Sequence, residues 1–287
     1  MTKIRDTEKL DVIVIGAGIA GLYLLYRLRN LGLQVRGVDK AGGVGGTWYW
    51  NRYPGARCDV DSMFYSYQFD HDLEQEWEWT ERYASQAEIL DYLNHVADRF
   101  NLRENIEFNT SIISAHYHHQ SRSWMLKTHN GVEIICSFCI MATGCLSEAI
   151  TPKLAGLDEF SGNIYHTAYW PHTDVDFSGL KVGLIGTGSS GVQAIPEIAK
   201  QAQHLTVFQR TANYVVPAQN RPLNPPEIQE LKANYKKLRE LAKTTPGGFS
   251  FSPNEKSALS ATPEERDAEF ERRWEAGGIP FMGAFSD

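Results

Sequence analysis

Basic charge, cysteine and long apolar runs are all scarce in this chain. Lys and Arg total 28 against 35 Asp and Glu, a formal net charge of −7 over 287 residues. A chain this acidic lacks the basic surface that phosphate backbones require, so nucleic acid is not expected as a partner. The longest apolar stretch, 12–26, is interrupted by glycine and too short to span a bilayer. The opening Met-Thr-Lys-Ile-Arg-Asp-Thr-Glu-Lys-Leu has no apolar core for a secretory leader. No membrane partner is expected, and the expected location is the cytoplasm. Of the four cysteines, Cys136 and Cys139 fall in a strand-like run, 133–141, where residues three apart point to opposite faces. Buried thiols are the expectation there, rather than a redox pair or a zinc site. His116, His118, His119 and His129 lie in or beside a strand-like hairpin without nearby Cys or paired acids, so no metal site is expected.

Glycine, by contrast, is arranged with purpose. Two loops of the form G-x-G-x-x-G occur, Gly16-Ala-Gly18-Ile-Ala-Gly21 and Gly186-Thr-Gly188-Ser-Ser-Gly191. One such loop is weak evidence, but two in strand-to-helix context imply two dinucleotides on one protein, and hence redox chemistry between two cofactors. With 42% hydrophobic residues the chain can bury two compact domains.

The first unit begins with a strand at 10–15 that runs into Gly16. A helix follows with Leu22, Leu25 and Leu28 on one face and Gly32 placed to end it. The next strand, 34–38, ends in Asp39, about the right distance from Gly16 for a carboxylate to reach the ribose of a dinucleotide. Gly16 permits a tight turn, Gly18 lets a pyrophosphate approach the backbone, and Gly21 lets helix and strand pack closely. The second unit has a strand at 180–185, the loop 186–191, and a helix at 192–202 with Pro196 early enough to be tolerated. Its next strand, 204–208, ends in Gln209-Arg210-Thr211 instead of an acid. A guanidinium fork at Arg210 and the Thr211 hydroxyl suit a 2′-phosphate that an acid would repel. The first site therefore reads as FAD and the second as NADPH.

Between Asp39 and Asp59 runs a glycine- and aromatic-rich stretch, 42–59, read as neither regular strand nor helix. From Gly45 to Asp59 it carries G-G-x-W-x-x-x-x-Y-P-G-x-x-x-D, and Phe160 to Pro171 carries F-x-G-x-x-x-H-x-x-x-W-P. On these two patterns the chain resembles the type I Baeyer–Villiger monooxygenases, within the flavin-containing monooxygenase superfamily, along essentially its whole length. Its branch is similar to enzymes of phenylacetone, steroid-like or large cyclic ketones. The resemblance implies a reaction that turns a ketone into an ester or lactone with FAD, NADPH and O2, through a flavin C4a-peroxide. It implies that Gly16, Gly18, Ala20, Gly21, Asp39, Lys40, Gly46, Thr47, Trp48 and Trp50 hold FAD, with Tyr65 and the backbone at Ile112 lining it. Thr187, Gly188, Ser189, Ser190, Gly191 and Gln193 would wrap the NADP pyrophosphate, with Arg210 and Thr211 at the 2′-phosphate and Arg57 and Cys58 near the nicotinamide. Asp59 would be the catalytic acid that orients an active-site arginine. His166 and Trp170 would link domains. The strand end Ala142-Thr143-Gly144 also matches such flavoproteins.

The fold expected is α/β, with an FAD-binding domain at 1–148, an NADPH-binding domain at 149–217, and the start of a helical insertion at 218–287. Ile228, Leu231, Tyr235, Leu238 and Leu241 mark one helical face, and Thr262-Pro-Glu-Glu265 is a capping box before Phe270 and Trp274. Family members continue for about as long again and supply the active-site arginine there, so the resemblance implies an N-terminal part of the family architecture. The apolar segment 278–287, with Ile279, Phe281, Met282 and Phe285, is expected to lie uncovered. Two other readings stay open: an N- or S-oxidising flavin monooxygenase, and a catalytically incomplete FAD-binding fragment.

Overall fold

The computed structural model describes residues 9–287 apart from 147, 246, 250 and 252; the segment 1–8, read above for a leader, lies outside the described residues. In chain order the elements are β1 (Lys9–Ile15), α1 (Ile19–Asn30), β2 (Val35–Val38), α2 (Thr47–Trp50), α3 (His71–Glu76), α4 (Gln86–Arg99), β3 (Ile106–Glu107), β4 (Ile112–His118), β5 (Ser123–Thr128) and β6 (Glu133–Met141). There follow β7 (Lys181–Ile185), α5 (Ser189–Ala199), β8 (His204–Phe208), α6 (Pro225–Lys243) and α7 (Pro263–Ala276). The α/β class expected from the sequence holds. Two compact units form, one from the chain up to Tyr53 with Ile89–Val175, the other from Pro54–Glu88 with Asp176–Asp287. These are not the divisions at 148 and 217. Residues 54–88 pair with the later chain, as in Arg82 N–H to Arg221 O at 3.0 Å and Leu223 N–H to Thr80 O at 2.9 Å.

In the first unit six strands run in the order β3-β2-β1-β6-β5-β4. β1 lies between parallel neighbours β2 and β6, while β4, β5 and β6 form an antiparallel meander. Val12, Ile13 and Val14 are all buried, the continuous apolar run of a parallel strand covered on both faces. α1 buries Leu22 and Leu25, with Leu28 half-buried. α4, an element the sequence reading does not include, buries Ile89, Tyr92, Leu93, Val96 and Ala97, an i, i+3, i+4, i+7, i+8 stripe. Cys136 sits in the core with Leu10, Ile13 and Leu126, and Cys139 packs against it half-buried. All four cysteines are free, and burial pushes the Cys136 thiol up to about 11. At neutral pH that thiol is protonated and a poor nucleophile.

In the second unit β7 and β8 pair in parallel from Lys181 opposite His204 to Ile185 opposite Phe208. The helix expected at 192–202 starts earlier and ends earlier, at Ser189–Ala199, because the Val192 N–H already bonds Gly188 O at 2.9 Å. Pro196 consequently lies well inside it, where it lacks the N–H that would reach the Val192 carbonyl. The helix stops three residues later. Capping boxes open both later helices, Asn224 with Glu227 at α6 and, as expected, Thr262 with Glu265 at α7.

The inner face of α6 departs from the apolar stripe. Leu241 is 43% exposed, whereas Tyr235, Arg239 and Ala242 are buried. Arg239 turns inward because Glu74 of α3 waits there, Nε to Oε1 at 2.6 Å, with side chains 6% and 11% exposed. Among the described residues Arg239 Nη1 has no hydrogen-bond partner, and Nε meets Glu74 Oε1 as an ion pair without hydrogen-bond geometry. The C-terminal segment is also better covered than expected: a 3-10 turn at Ile279–Gly283 folds back on α7, and Phe285, 8% exposed, meets Phe270 edge-on at 5.3 Å. Only Met282 among the four apolar side chains singled out stays strongly exposed, at 82%. No described helix is long and apolar enough to cross a membrane.

Candidate functional site

The carboxyl ends of three parallel strands converge on the first glycine loop. Gly16 N–H donates to Val38 O at the end of β2, and Ala142 N–H, just past β6, donates to Ile15 O at the end of β1, both at 2.8 Å. Open α/β sheets bind ligands at such strand ends. Packing alone demands two of the glycines: a Cβ on Gly16 would lie 2.4 Å from the Ala142 carbonyl oxygen, and one on Gly21 only 1.9 Å from that of Gly16. Gly18 is approached by protein as well, since a Cβ on Gly46 would come within 2.8 Å of the Gly18 Cα, and Gly45 N–H bonds Ala17 O at 3.0 Å. The G-G-x-W segment thus lies against the loop with no side chain between them. The N–H groups at the start of α1 are the donors such a cradle offers to phosphate oxygens.

Asp39 is 8% exposed, and its carboxylate accepts Ala17 N–H at 2.6 Å and Ala41 N–H at 2.8 Å. In this structure it anchors the glycine loop to the end of β2. Lys40 lies 3.9 Å from Glu148 and over the Trp50 ring at 5.7 Å, and Ala20 is exposed on the first turn of α1. The stretch 42–59 is not wholly irregular, because Thr47–Trp50 closes one helical turn behind Gly46 and buries Trp48. Tyr49 packs against Trp50 and against His172, each at 5.0 Å. Burial, then the Arg52 charge, lowers the pKa of His172. The sequence offered no spacing signal for His172. Ile112 opens β4 half-buried against the core. His166 caps the 3-10 turn Thr167–Tyr169, its Nδ1 accepting Ala168 N–H at 3.2 Å, and Trp170 packs on Tyr165 at 5.4 Å.

The second loop repeats the design within the second unit. Gly186 N–H donates to Phe208 O at 2.9 Å, tying the loop to the end of β8, and a Cβ on Gly191 would lie 2.4 Å from Gly186 O. A Cβ on Gly188 would meet nothing within 4 Å, so protein packing does not explain that glycine, whereas close approach of a ligand would. Thr187 is held by Gln209 on its hydroxyl at 2.9 Å and by Asn213 on its carbonyl at 2.7 Å. Ser189 is exposed and Ser190 half-buried at the start of α5. Arg210 and Thr211 are exposed just past β8, and among the described residues no carboxylate pairs with Arg210. A free guanidinium at a strand end beside open loop N–H groups suits an anion.

Beside α5 lies the segment 55–59. Gln193 Nε2 donates to Arg57 O at 3.1 Å and to Asp59 Oδ1 at 3.0 Å, and its Oε1 accepts Arg57 N–H at 3.4 Å. The Arg57 guanidinium is turned to Glu81 at 3.0 Å and to the Tyr83 carbonyl at 3.2 Å; Glu81 gave no motif by which sequence could find it. Cys58 is buried, and burial pushes its thiol up to about 11, which keeps it protonated. Tyr65 is half-buried in the turn that follows. Among the described residues no group of three or more His, Cys, Asp and Glu could hold a metal ion.

With both loops in place the family follows. Residues 13–245 match the family model described as pyridine nucleotide-disulphide oxidoreductase. The chain belongs to that family. Within it the chain is 46% identical over 280 residues to a Baeyer–Villiger monooxygenase of Pseudooceanicola batsensis, covering 96% of this chain and 51% of that protein. It is 45% identical over 286 residues to a phenazine N-monooxygenase of Lysobacter antibioticus, covering 99% and 53%. An oxidized steroid monooxygenase bound to NADP superposes with a TM-score of 0.94 at 54% identity, over 98% of this chain and 54% of that one. The resemblance to Baeyer–Villiger monooxygenases read from the two long motifs therefore holds along the chain. The chain spans about half the length of the curated relatives it matches.

Proposed function

We propose that this pyridine nucleotide-disulphide oxidoreductase family chain serves a flavin monooxygenase that uses NADPH and O2 to convert a ketone into an ester or lactone. The observation that carries the reading is the pair of glycine cradles at parallel strand ends, one lined by Asp39 and the G-G-x-W turn, the other followed by the unpaired Arg210. Both cradles fit a dinucleotide: each has a helix N-terminus aimed at the loop, and the second has a glycine, Gly188, whose Cβ would meet no atom of the described residues within 4 Å. Bound FAD would supply the two-electron and oxygen chemistry that no side chain can. The chain's own tasks are then to bind and orient. The loop N–H groups would hold pyrophosphate oxygens, Trp48 and Trp50 would line the FAD site, Thr187 and Ser189 to Gly191 would flank the NADP pyrophosphate, and Arg210 with Thr211 would take the 2′-phosphate. Asp59 would be the acid at the reacting end, with Arg57 and Cys58 beside it.

The 45% identity to a phenazine N-monooxygenase, against 46% to a Baeyer–Villiger monooxygenase, favours a second reading in which the acceptor is a ring nitrogen. Product analysis separates the two. With FAD, NADPH and O2 supplied, a panel of ketones and nitrogen heteroaromatics should give esters or lactones from the former; N-oxides with no ketone turnover would transfer the proposal to the second reading. Arg210→Ala should weaken NADPH by about tenfold or more, the scale of losing a charged hydrogen-bond pair, and leave NADH nearly unchanged. An unaltered preference between the two would remove Arg210 from the 2′-phosphate.

A further inference from the structure

The side chain of Gln193 is engaged in a way that its sequence position does not suggest. It lies in the second turn of α5, and its amide pairs with a single residue of the facing segment like an added strand, accepting from Arg57 N–H and donating to Arg57 O. The second Nε2 hydrogen goes to Asp59 Oδ1 at 3.0 Å. Both hydrogens of the amide are thereby spent on the chain itself, and a primary amide has no third to give a phosphate. That carboxylate has no other hydrogen-bond partner among the described residues, so Gln193 alone sets its direction. The facing segment is pressed onto the same helix position by its backbone: Gly55 has φ +79°, and a Cβ there would lie 2.3 Å from the Gln193 carbonyl oxygen. On its other edge it is tied by Cys58 N–H to Ala84 O at 3.1 Å and Gln86 N–H to Ala56 O at 2.8 Å. The segment is therefore clamped on both sides, and only the Asp59 side chain remains to be aimed.

We infer that Gln193 is a positioning residue for Asp59, coupling the helix that carries the second glycine loop to the direction of that carboxylate, instead of a ligand of the NADP pyrophosphate. The inference rests on the proposed function for the importance of Asp59, and on the geometry alone for the contact.

A double-mutant cycle tests it in the FAD-loaded holoenzyme with Gln193→Met, Asp59→Ala and the pair, measuring NADP+ affinity by calorimetry and anaerobic flavin reduction by NADPH in stopped flow. Removing a hydrogen bond to a charged group should slow reduction about tenfold, leave NADP+ affinity within about twofold, and add nothing once Asp59 is absent. Weaker NADP+ binding with an unchanged reduction rate would make Gln193 a pyrophosphate ligand after all. Losses that multiply in the double variant would show that the two residues act independently. Either result overturns the inference. If Gln193→Met does not fold, Gln193→Asn keeps the polarity and is one methylene too short to reach both partners. A parent enzyme that NADPH does not reduce would end the monooxygenase reading, and the contact is then decided by NMR. The Gln193 side-chain amide signal should shift in Asp59→Ala, and an unmoved signal refutes the contact.

Discussion

Replacing Gly46 by Ala should open the first cradle, and a second glycine supplies the control. Gly46 has φ +54° and ψ −117°, a conformation that costs an L side chain ~1–3 kcal/mol. Its new Cβ would lie 2.8 Å from the Cα of Gly18, a backbone atom with no rotamer by which to move away. Relief requires the Gly18 loop and the Gly46 turn to part by several tenths of an ångström, an overpacking cost of ~1–3 kcal/mol. Gly32 also has positive φ, +80°, but a Cβ there meets nothing within 4 Å, so Gly32→Ala bears only the local strain of ~1–2 kcal/mol. Each kcal/mol lowers the melting midpoint by roughly 2–8 °C for domains of this size range, so Gly46→Ala should melt several degrees below Gly32→Ala. It should also lose FAD affinity by at least about tenfold, ~1.4 kcal/mol, whereas Gly32→Ala should keep it. Thermal melts and retained flavin absorbance read both quantities. Equal flavin retention in the two variants would refute the argument that the Gly18–Gly46 approach shapes the cradle.

Two further outcomes follow from the charges of the second unit. Arg239→Leu should destabilise it by ~3–5 kcal/mol, because Glu74 is left buried without its partner, while Arg239→Leu with Glu74→Leu should recover most of the loss; denaturant titration of both variants checks this, and equal losses would argue against a buried pair. Glu269 is held down from 4.5 to about 2, first by its hydrogen bond from Arg272 and then by that from Arg273. Its folded pKa being depressed, its stabilisation is present above about pH 4.5 and is lost as the pH falls towards 2. Glu269→Gln should therefore flatten the acid side of the melting profile, and an unchanged slope between those limits would count against the shift.

What this chain's sequence determines by itself is local and covalent in spacing. The two G-x-G-x-x-G loops, the apolar strands before them, the capping box at Thr262 and the long aromatic motifs are all short-range patterns, and each appears where the residues put it. The stripe of α4 at Ile89, Leu93 and Val96 is a short-range pattern of the same kind, although the sequence reading does not include it. Tertiary contacts decided the rest. That Asp39 holds its own loop depends on where the Ala17 and Ala41 N–H groups come to lie, one on each carboxylate oxygen, an arrangement that leaves lone pairs on both oxygens for a ribose. Gln193 reads as a pyrophosphate residue until the segment 55–59 is laid across α5 and claims its amide. Arg239 sits on a polar position of an amphipathic pattern until α3 brings Glu74 to it. In each case the partner lies more than twenty residues away in sequence or is the backbone of a turn. A polar group's role is set by which donor or acceptor it meets, and only the fold brings those partners within hydrogen-bond reach.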